Sequence, residues 1–242
     1  MRHALLSDVH GNLEALDAVL ADLATRGVED VACLGDFVGY GASPAECIAR
    51  LRGRVAVALL GNHDEGVLRP ETLVAFNPLA AEAARWTRDV LPAEPLAWLA
   101  SLPLAADWHG ARLVHASPVA PEAWTYLVEA PDATPQFAGF DGALCFVGHT
   151  HAPVVFEQRD GRAVEVAREG RTTLRDGVRC LVVVPSVGQP RDRDPRAGYA
   201  IWDEGTGTVE FVRVPYDIEG AQARIRAAGL SPRLADRLAH GV

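Results

Sequence analysis

The segment HALLSDVHGNLEALDAVLADLATRG, residues 3–27, supplies the strand, the polar turn and the helix from which the rest of the chain can be interpreted. Residues 3–8 form an apolar run that turns acidic at its end, which is typical of a buried strand. Four leucines follow at intervals of three and four residues and share one face of a helix: Leu13, Leu16, Leu20 and Leu23. Gly27 is suited to end that helix. The segment therefore predicts a strand–turn–helix unit.

The same pattern continues along the first half of the chain. Residues 31–35 form a second apolar run, and a helix is expected from about Ser43, with Pro44 at its first position. Residues 55–60 form a third run that ends in Gly-Asn-His-Asp at positions 61–64. Alternation of strands and helices at this spacing predicts parallel strands joined by right-handed crossovers. Ligands of such sheets gather at the carboxyl ends of the strands.

The sequence pattern changes after the third apolar run. Residues 70–102 have a helical pattern that includes Phe76, Trp86 and Trp98, and they form either a wall or lid over a pocket or a part of the core. Short β-rich runs separated by turn residues come next, at 113–115, 144–147, 154–156, 163–167, 180–184, 199–202 and 209–214. Helices are expected over 217–228 and after position 232. No linker interrupts the chain, so residues 1–242 are expected to form a single domain.

Composition excludes several classes of protein. The chain has 242 residues, 49% of them hydrophobic, and a net charge of 23 − 32 = −9, which excludes a disordered or collagen-like chain. The sequence has no apolar run of about 18 residues, so no membrane span is expected. The acidic balance argues against an extended nucleic-acid surface but does not exclude phosphate substrates. The four cysteines form no CxxC pair, and no export signal is recognised, so we expect a cytoplasmic protein with buried free thiols.

Polar residues able to bind metals follow five apolar runs. Any one of these fragments alone is more typical of a turn or of packing than of a metal site. Together they bring Asp, Asn and His to one edge of the fold, where unpartnered buried groups would cost several kcal/mol each. Metal sites need ligands from distant positions on rigid strands, with glycines that allow close approach of the backbone. The fragments are Asp8-Val9-His10, Gly35-Asp36, Gly61-Asn62-His63-Asp64, Val114-His115 and Gly148-His149-Thr150-His151.

This ordered set of motifs resembles the calcineurin-like metallophosphoesterase superfamily. The compact length is similar to that of its small bacterial phosphodiesterase branch, and so is the stretch Ser-Val-Gly-Gln-Pro-Arg-Asp at 186–192. The resemblance extends from residue 3 to about residue 203. It implies an α/β fold, a four-layer αββα sandwich of two mixed β-sheets, with metal ions at one edge.

The resemblance also implies two divalent ions and a ligand set. One ion would be bound by Asp8, His10 and His151, the other by Asn62, His115 and His149, and Asp36 would bridge them. Imidazole and oxygen donors together suit Mn, Fe, Ni, Co or Zn better than Ca or Mg, and Mn is our first expectation. A hydroxide shared by the two ions would attack a phosphate ester in line.

His63 has no metal to bind in this scheme, and it would be the general acid that protonates the leaving group. Asp64 would orient the His63 ring and raise its pKa. The alternative for His63 is a hydrogen bond that only supports the ligands. Three further residues are candidate substrate contacts, each with a structural alternative: Asn12 as a helix N-cap, Tyr40 as a residue lining the mouth or the core, and Arg191 as part of a solvated, self-paired loop.

The expected function is therefore that of a metal-dependent phosphoesterase acting on a small phosphodiester or phosphomonoester. A protein serine/threonine phosphatase is an alternative within the same class of enzymes. A non-catalytic metal-binding scaffold on the same fold is an alternative from another class. The presence of the bridging Asp36 and of His63 favours catalysis.

Overall fold

Two six-stranded mixed β-sheets face each other in the computed structural model, which describes all 242 residues. The strands are β1 (Arg2–Leu6), β2 (Asp30–Cys33), β3 (Val57–Ala58), β4 (Ala105–Trp108), β5 (Ala111–Val114), β6 (Leu144–Val147), β7 (Val154–Arg159), β8 (Arg162–Ala167), β9 (Arg171–Thr173), β10 (Cys180–Val183), β11 (Ala197–Asp203) and β12 (Thr208–Val214). The helices are α1 (Leu13–Leu23), α2 (Pro44–Leu51), α3 (Asn62–Leu68), α4 (Pro78–Val90), α5 (Ala93–Ala100), α6 (Ala130–Ala133), α7 (Ile218–Ala227) and α8 (Pro232–Asp236).

Each sheet contains three parallel strands. The first sheet has the order β3-β2-β1-β11-β12-β9, in which β3, β2 and β1 are parallel and the other three run antiparallel to their neighbours. The second has the order β4-β5-β6-β10-β7-β8, in which β5, β6 and β10 are parallel. The loops after these parallel strands carry the candidate site, as expected for an α/β sheet.

Three apolar layers separate the helices and the two sheets, which confirms the four-layer αββα sandwich. Because side chains alternate along β1, Leu6 packs towards the helices and Leu5 packs into the layer between the sheets. Leu16 of α1 and Ile48 of α2 cover the outer face of the first sheet. Phe137, in a short 3₁₀ helix after α6, covers the outer face of the second. Complete burial of a leucine or phenylalanine contributes about 1.5–3 kcal/mol.

Helix α1 forms as its leucine spacing predicts. Leu16 and Leu23 are buried, and Leu13 and Leu20 pack against the same core from the edge. Asn12 is the N-cap, and its side-chain oxygen accepts a hydrogen bond from the backbone N–H of Ala15 at 3.1 Å. The cap and the apolar face together set the angle at which the helix leaves the polar turn at 7–11.

Some elements differ from the sequence-based prediction. Strands β4 and β9 were not predicted, since both lie at sheet edges and have partly exposed, mixed side chains in place of an apolar run. Strand β3 is shorter than the apolar run at 55–60, and α3 begins soon after it, at Asn62. The region 70–102 is a 3₁₀ helix followed by α4 and α5. No helix of the structure combines the length and the hydropathy needed to cross a membrane.

Candidate metal centre

Backbone turns in the left-handed region aim the predicted ligands at one point. A non-glycine residue in this region costs about 1–2 kcal/mol, so the surrounding structure has to hold it there. The backbone N–H of Asp8 donates to Gly35 O at 3.0 Å, and that of His10 donates to Asp36 O at 2.9 Å. Five of the predicted ligands have this conformation, with φ of 55° at Asp8, 50° at His10, 54° at Asp36, 61° at His149 and 61° at His151.

Two glycines allow the backbone to approach the carboxylates closely. A Cβ atom at Gly61 would lie 2.1 Å from Asp36 Oδ1, and one at Gly148 would lie 2.7 Å from Asp8 Oδ2. No side chain fits at either distance. Glycine is therefore needed at both positions, because only glycine lets the backbone lie this close to the carboxylates, as expected of a metal site.

The ligand candidates form two groups that share one carboxylate. One group contains Asp8, His10, Asp36 and His151, and the other contains Asp36, His115 and His149; within each group the donor atoms all lie within 4.8 Å of one another. These residues are buried, with none more than 3% exposed. Asp36 Oδ2 lies 3.6 Å from His10 Nε2 and 3.4 Å from His115 Nε2, so it stands between the two groups.

Each of the four histidines in these groups makes one ring hydrogen bond to a backbone carbonyl. The nitrogen that faces the carbonyl carries the proton, so in the neutral ring the other nitrogen has a free lone pair. This arrangement is typical of a metal-ligating imidazole. The bonds join His10 Nδ1 to Val38 O at 3.0 Å, His115 Nδ1 to Leu34 O at 3.0 Å, His151 Nδ1 to Gln189 O at 2.5 Å, and His149 Nε2 to Trp124 O at 3.0 Å.

The atoms that remain free are acceptors without donors. Asp8 Oδ1, Asp36 Oδ2, Asn62 Oδ1 and His115 Nε2 are all buried and have no hydrogen-bond partner. His10 Nε2 and His151 Nε2 face each other at 3.2 Å. Buried acceptors left unpaired in this way are costly, and a cation satisfies several of them at once. The residues present therefore fit divalent ions.

Electrostatics keep the carboxylates and His149 in the forms that bind metals, whereas His115 would release a proton on binding one. Burial by itself raises the pKa of Asp8, but His151, whose Nε2 lies 3.2 Å from Asp8 Oδ1, and the charge of His115 hold it well below its usual range. Burial and the charge of His115 lower the pKa of His149 to about 3. Burial by itself lowers the pKa of His115, but the neighbouring carboxylates, Asp36 first among them, together outweigh burial and raise it to about 9. The carboxylates are thus charged and His149 is neutral.

His63 lies beside this cluster without a bond to a carbonyl. It is 4% exposed, and its ring is 4.8 Å from that of His10, 4.5 Å from Tyr40 and 5.0 Å from Phe76. Its Nδ1 has no hydrogen-bond partner. Burial lowers the pKa of His63 to about 4, although Asp36 opposes this shift.

The expected pairing of Asp64 with the His63 ring is wrong. Asp64 Oδ2 accepts hydrogen bonds from the backbone N–H groups of Asp36 at 2.8 Å and Gly61 at 3.0 Å, and Oδ1 accepts one from Val38 at 3.3 Å. Burial and the charge of Asp36 raise the pKa of Asp64 to about 8. Asp64 is the third residue of α3, so its side chain points back to the helix start, where it joins the two ligand-bearing loops.

The three candidate substrate contacts have different surroundings. The Asn12 side chain caps α1 and donates to Gly188 O at 2.9 Å and to Tyr216 Oη at 3.3 Å, so its polar atoms are already used. The Tyr40 ring is 4.7 Å from that of His10. Arg191 donates to Tyr40 Oη at 3.2 Å and to Gln189 Oε1 at 3.0 Å. Asn12 therefore has its structural role as an N-cap, Tyr40 is buried in an apolar cluster, and substrate contact by Tyr40 or Arg191 stays a prediction.

Sequence reasoning missed the loop that covers the second ligand group. The Tyr126 ring stacks on that of His149 at 4.0 Å, and Trp124 Nε1 donates to Glu65 Oε2 at 3.0 Å. This loop follows β5 and holds Trp124 at a φ of 52°. Two aromatic residues, at positions 124 and 126 of the loop that follows His115, were the available signal. Arg237, near the end of the chain, lies over the Tyr40 ring at 5.4 Å and was also missed.

Comparisons with known proteins agree with this geometry. The domain model of the calcineurin-like phosphoesterase superfamily matches residues 1–207. The uncharacterized protein MJ0912 of Methanocaldococcus jannaschii is 42% identical over 239 residues, which cover 97% of this chain and 96% of that protein. The crystal structure of a metallophosphoesterase from Sphaerobacter thermophilus is 40% identical, with a TM-score of 0.89 and complete coverage of both chains. A hypothetical protein, PH1004 from Pyrococcus horikoshii, has the same fold, with a TM-score of 0.78 at 22% identity, and the match covers 100% of this chain and 98% of that one.

Proposed function

This chain belongs to the calcineurin-like phosphoesterase superfamily, and we propose that it is a metal-dependent hydrolase of small phosphate esters that prefers diesters to monoesters. The main support is the set of four buried histidines, each of which bonds one ring nitrogen to a backbone carbonyl and has the other close to Asp8, Asp36 or both. Such a donor set binds divalent transition metals. Mn²⁺ is the ion we propose, with Fe, Ni, Co and Zn as alternatives.

The two ligand groups give each ion a set of residues. Asp36 would contact both ions, and Asn62, the first residue of α3, would bind through its free Oδ1. When bound, the two ions would supply the activated nucleophile and positive charge opposite the phosphate oxygens. The groups would be Asp8, His10, Asp36 and His151 for one ion, and Asp36, Asn62, His115 and His149 for the other.

His63 would deliver a proton to the leaving oxygen, because the negative charge of a bound phosphate ester would oppose the effect of burial and raise its pKa. It is adjacent to the first ligand group, and its Nδ1 is not held by any hydrogen bond. The backbone N–H of His63 donates to Asp36 Oδ1 at 2.8 Å, which fixes the position of the residue while its ring stays free to exchange a proton. A positioned general acid contributes about 10²–10⁴-fold to a rate.

Arg191 and Tyr40 would bind the phosphate. The hydrogen-bond partners of the Arg191 guanidinium are uncharged, although its side chain is largely buried. A guanidinium with no acidic partner beside a phosphoesterase centre is suited to phosphate oxygens, which it can bind in a bidentate manner. Tyr40 connects it to the His63 and His10 rings.

Burial of the centre favours a small substrate over a phosphoprotein. The ligands are at most 3% exposed, and the loop with Trp124 and Tyr126 covers His149. A protein serine/threonine phosphatase would need an open groove at this place. The unbonded Nδ1 of His63, a residue outside both ligand groups, argues against a scaffold that only binds metal. Four buried free thiols suit a reducing compartment, so we also propose a cytoplasmic location.

The test is hydrolysis of bis(p-nitrophenyl) phosphate and of p-nitrophenyl phosphate by metal-stripped protein and by the same protein reconstituted with Mn²⁺. We expect diester turnover that requires the metal and exceeds monoester turnover. Asp36→Asn is the inactive control. Preference for the monoester would make the protein a phosphatase. Lack of any turnover with metal bound would support the scaffold alternative.

A further inference from the structure

A second cluster of metal-binding side chains lies at the opposite end of the first sheet. His3 is near the start of β1, Asp30 is the first residue of β2, His109 is in the turn between β4 and β5, and Glu204 follows β11. The candidate centre lies beyond the other end of β1, and at about 3.3 Å per residue the step from His3 to Asp8 is roughly 16 Å. The cluster is therefore separate from the site already described.

Three contacts hold the cluster together. His3 Nδ1 lies 2.5 Å from Asp30 Oδ1, and His109 Nε2 lies 3.0 Å from Asp30 Oδ2. His3 Nε2 lies 3.4 Å from Glu204 Oε2 and has no hydrogen-bond partner, although His3 is only 1% exposed. Asp30 and His109 are about one-third exposed, which gives an ion access from solvent.

Both nitrogens of the buried His3 ring face carboxylate oxygens. A neutral imidazole carries one N–H and one lone pair, so one of these contacts would set a lone pair against an anion. The His3 and His109 rings stack at 4.1 Å with an interplanar angle of 24°, so that a nitrogen of each ring lies against the same carboxylate, that of Asp30. A divalent cation between these two nitrogens and Asp30 removes the conflict, because the lone pair of His3 then faces the cation.

We propose that His3 Nδ1, His109 Nε2 and the Asp30 carboxylate bind a divalent transition metal of the Zn²⁺ type. Two imidazoles and a carboxylate form a common zinc donor set, and solvent can complete the coordination. Glu204 would accept the remaining N–H of His3, as the backbone carbonyls do for the histidines of the candidate centre. Trp108 and Trp202, whose ring centres are 5.1 and 5.4 Å from that of His3, provide the surrounding apolar shell.

The bound ion would join the two sheets. His3 and Asp30 belong to the first sheet, whereas His109 belongs to the β4–β5 turn of the second. An ion that binds only the folded chain stabilises it in proportion to its occupancy. The role is structural, and it holds whether or not the proposed phosphoesterase activity is correct.

Zinc stoichiometry tests this site. Metal-stripped protein would be dialysed against Zn²⁺ and analysed for bound zinc per chain, with His109→Ala and Asp30→Asn as the variants and His240→Ala as the control, since His240 is an exposed histidine outside both clusters. We expect both variants to bind one equivalent less than the wild type and the control. We also expect Zn²⁺ to raise the melting temperature of both variants less than that of the wild type, while their diester turnover stays unchanged.

Equal zinc content in the wild type and in both variants would overturn the proposal and leave a plain network of ion pairs. His109 lies in a partly exposed turn, so its removal is compatible with folding. If one variant fails to fold, the zinc content of the other still decides the question, because each removes a different ligand.

Discussion

At the scale of single residues, His63 differs from the other histidines of the centre because no carbonyl fixes its protonation. The substitution His63→Asn should leave the metal content unchanged and lower turnover of a diester by about 10²–10⁴-fold. A poor leaving group needs the proton more than a good one does, so the loss should be larger for phenyl than for p-nitrophenyl esters. The measurement is kcat for both esters together with bound metal. Full activity in the variant would remove His63 from the mechanism.

Arg191 offers a second test at this scale, because it is largely buried and its hydrogen bonds go to uncharged groups. Arg191→Ala should raise KM by about 10- to 100-fold, the value of one to two charge-assisted hydrogen bonds. Removal of a buried charge that has no acidic partner should leave the melting temperature unchanged or higher. The exposed neighbour Arg193 gives the matched control Arg193→Ala. A lower melting temperature with an unchanged KM would instead show that Arg191 is structural.

At the scale of the elements, the loop after β2 sets the position of the His63 ring. A Cβ atom at Gly39 would lie 2.5 Å from His63 Nδ1, and φ at Gly39 is 90°. We expect Gly39→Ala to displace the ring and lower kcat while the protein still binds metal. Gly53→Ala is the matched control, because Gly53 also has a positive φ, 77°, but no atom lies within 4 Å of its Cβ position. Equal kcat in the two variants would contradict this reading of the loop.

Strand β7 contains a buried carboxylate that links acid stability to one ion-pair cluster. Glu157 is 3% exposed and accepts hydrogen bonds from Arg159 and Arg175. Burial raises its pKa, but the two arginines outweigh burial and lower it. A depressed folded-state pKa gives stability that is present above the unfolded-state value of about 4.3 and is lost as the pH falls through the folded-state pKa.

Glu157→Gln should therefore lower the free energy of unfolding by about 1–2 kcal/mol at pH 7, a range reduced for the exposure of both arginines. The difference from the wild type should shrink at pH 3.5. Urea unfolding at both pH values measures it. Glu165→Gln is the control, since the Glu165–Arg168 pair is exposed and should contribute little. A gap that does not depend on pH would contradict the ion-pair explanation.

At the scale of the whole molecule, the sequence predicts the architecture better than the details of the site. The parallel strands and their polar ends follow from apolar runs and from residues such as Asp8 and Asp36, whose positions after strands are local properties of the chain. The order of the motifs makes the family recognisable, and the domain model confirms the family over residues 1–207. The edge strands β4 and β9 were not predicted because little of their surface is buried.

The parts of the site that depend on contacts between distant segments were beyond sequence reasoning. Asp64 follows His63 directly, yet its position at the start of α3 turns it towards three backbone amides and away from the ring. Tyr126 stacks on His149 in a loop that is held by a hydrogen bond from Trp124 to Glu65, 59 positions away in the sequence. The individual ligand roles stay predictions until metal binding is measured.

The most direct test of the dinuclear centre is the electron paramagnetic resonance spectrum of metal-stripped protein titrated with Mn²⁺. Two ions that share Asp36 should be magnetically coupled, so we expect a multiline coupled signal to grow up to two equivalents and to disappear in Asp36→Asn. An ion at the distant His3–Asp30–His109 cluster would add only an uncoupled signal. Uncoupled six-line spectra at every ratio of Mn²⁺ to protein would contradict the shared centre and, with it, the proposed mechanism.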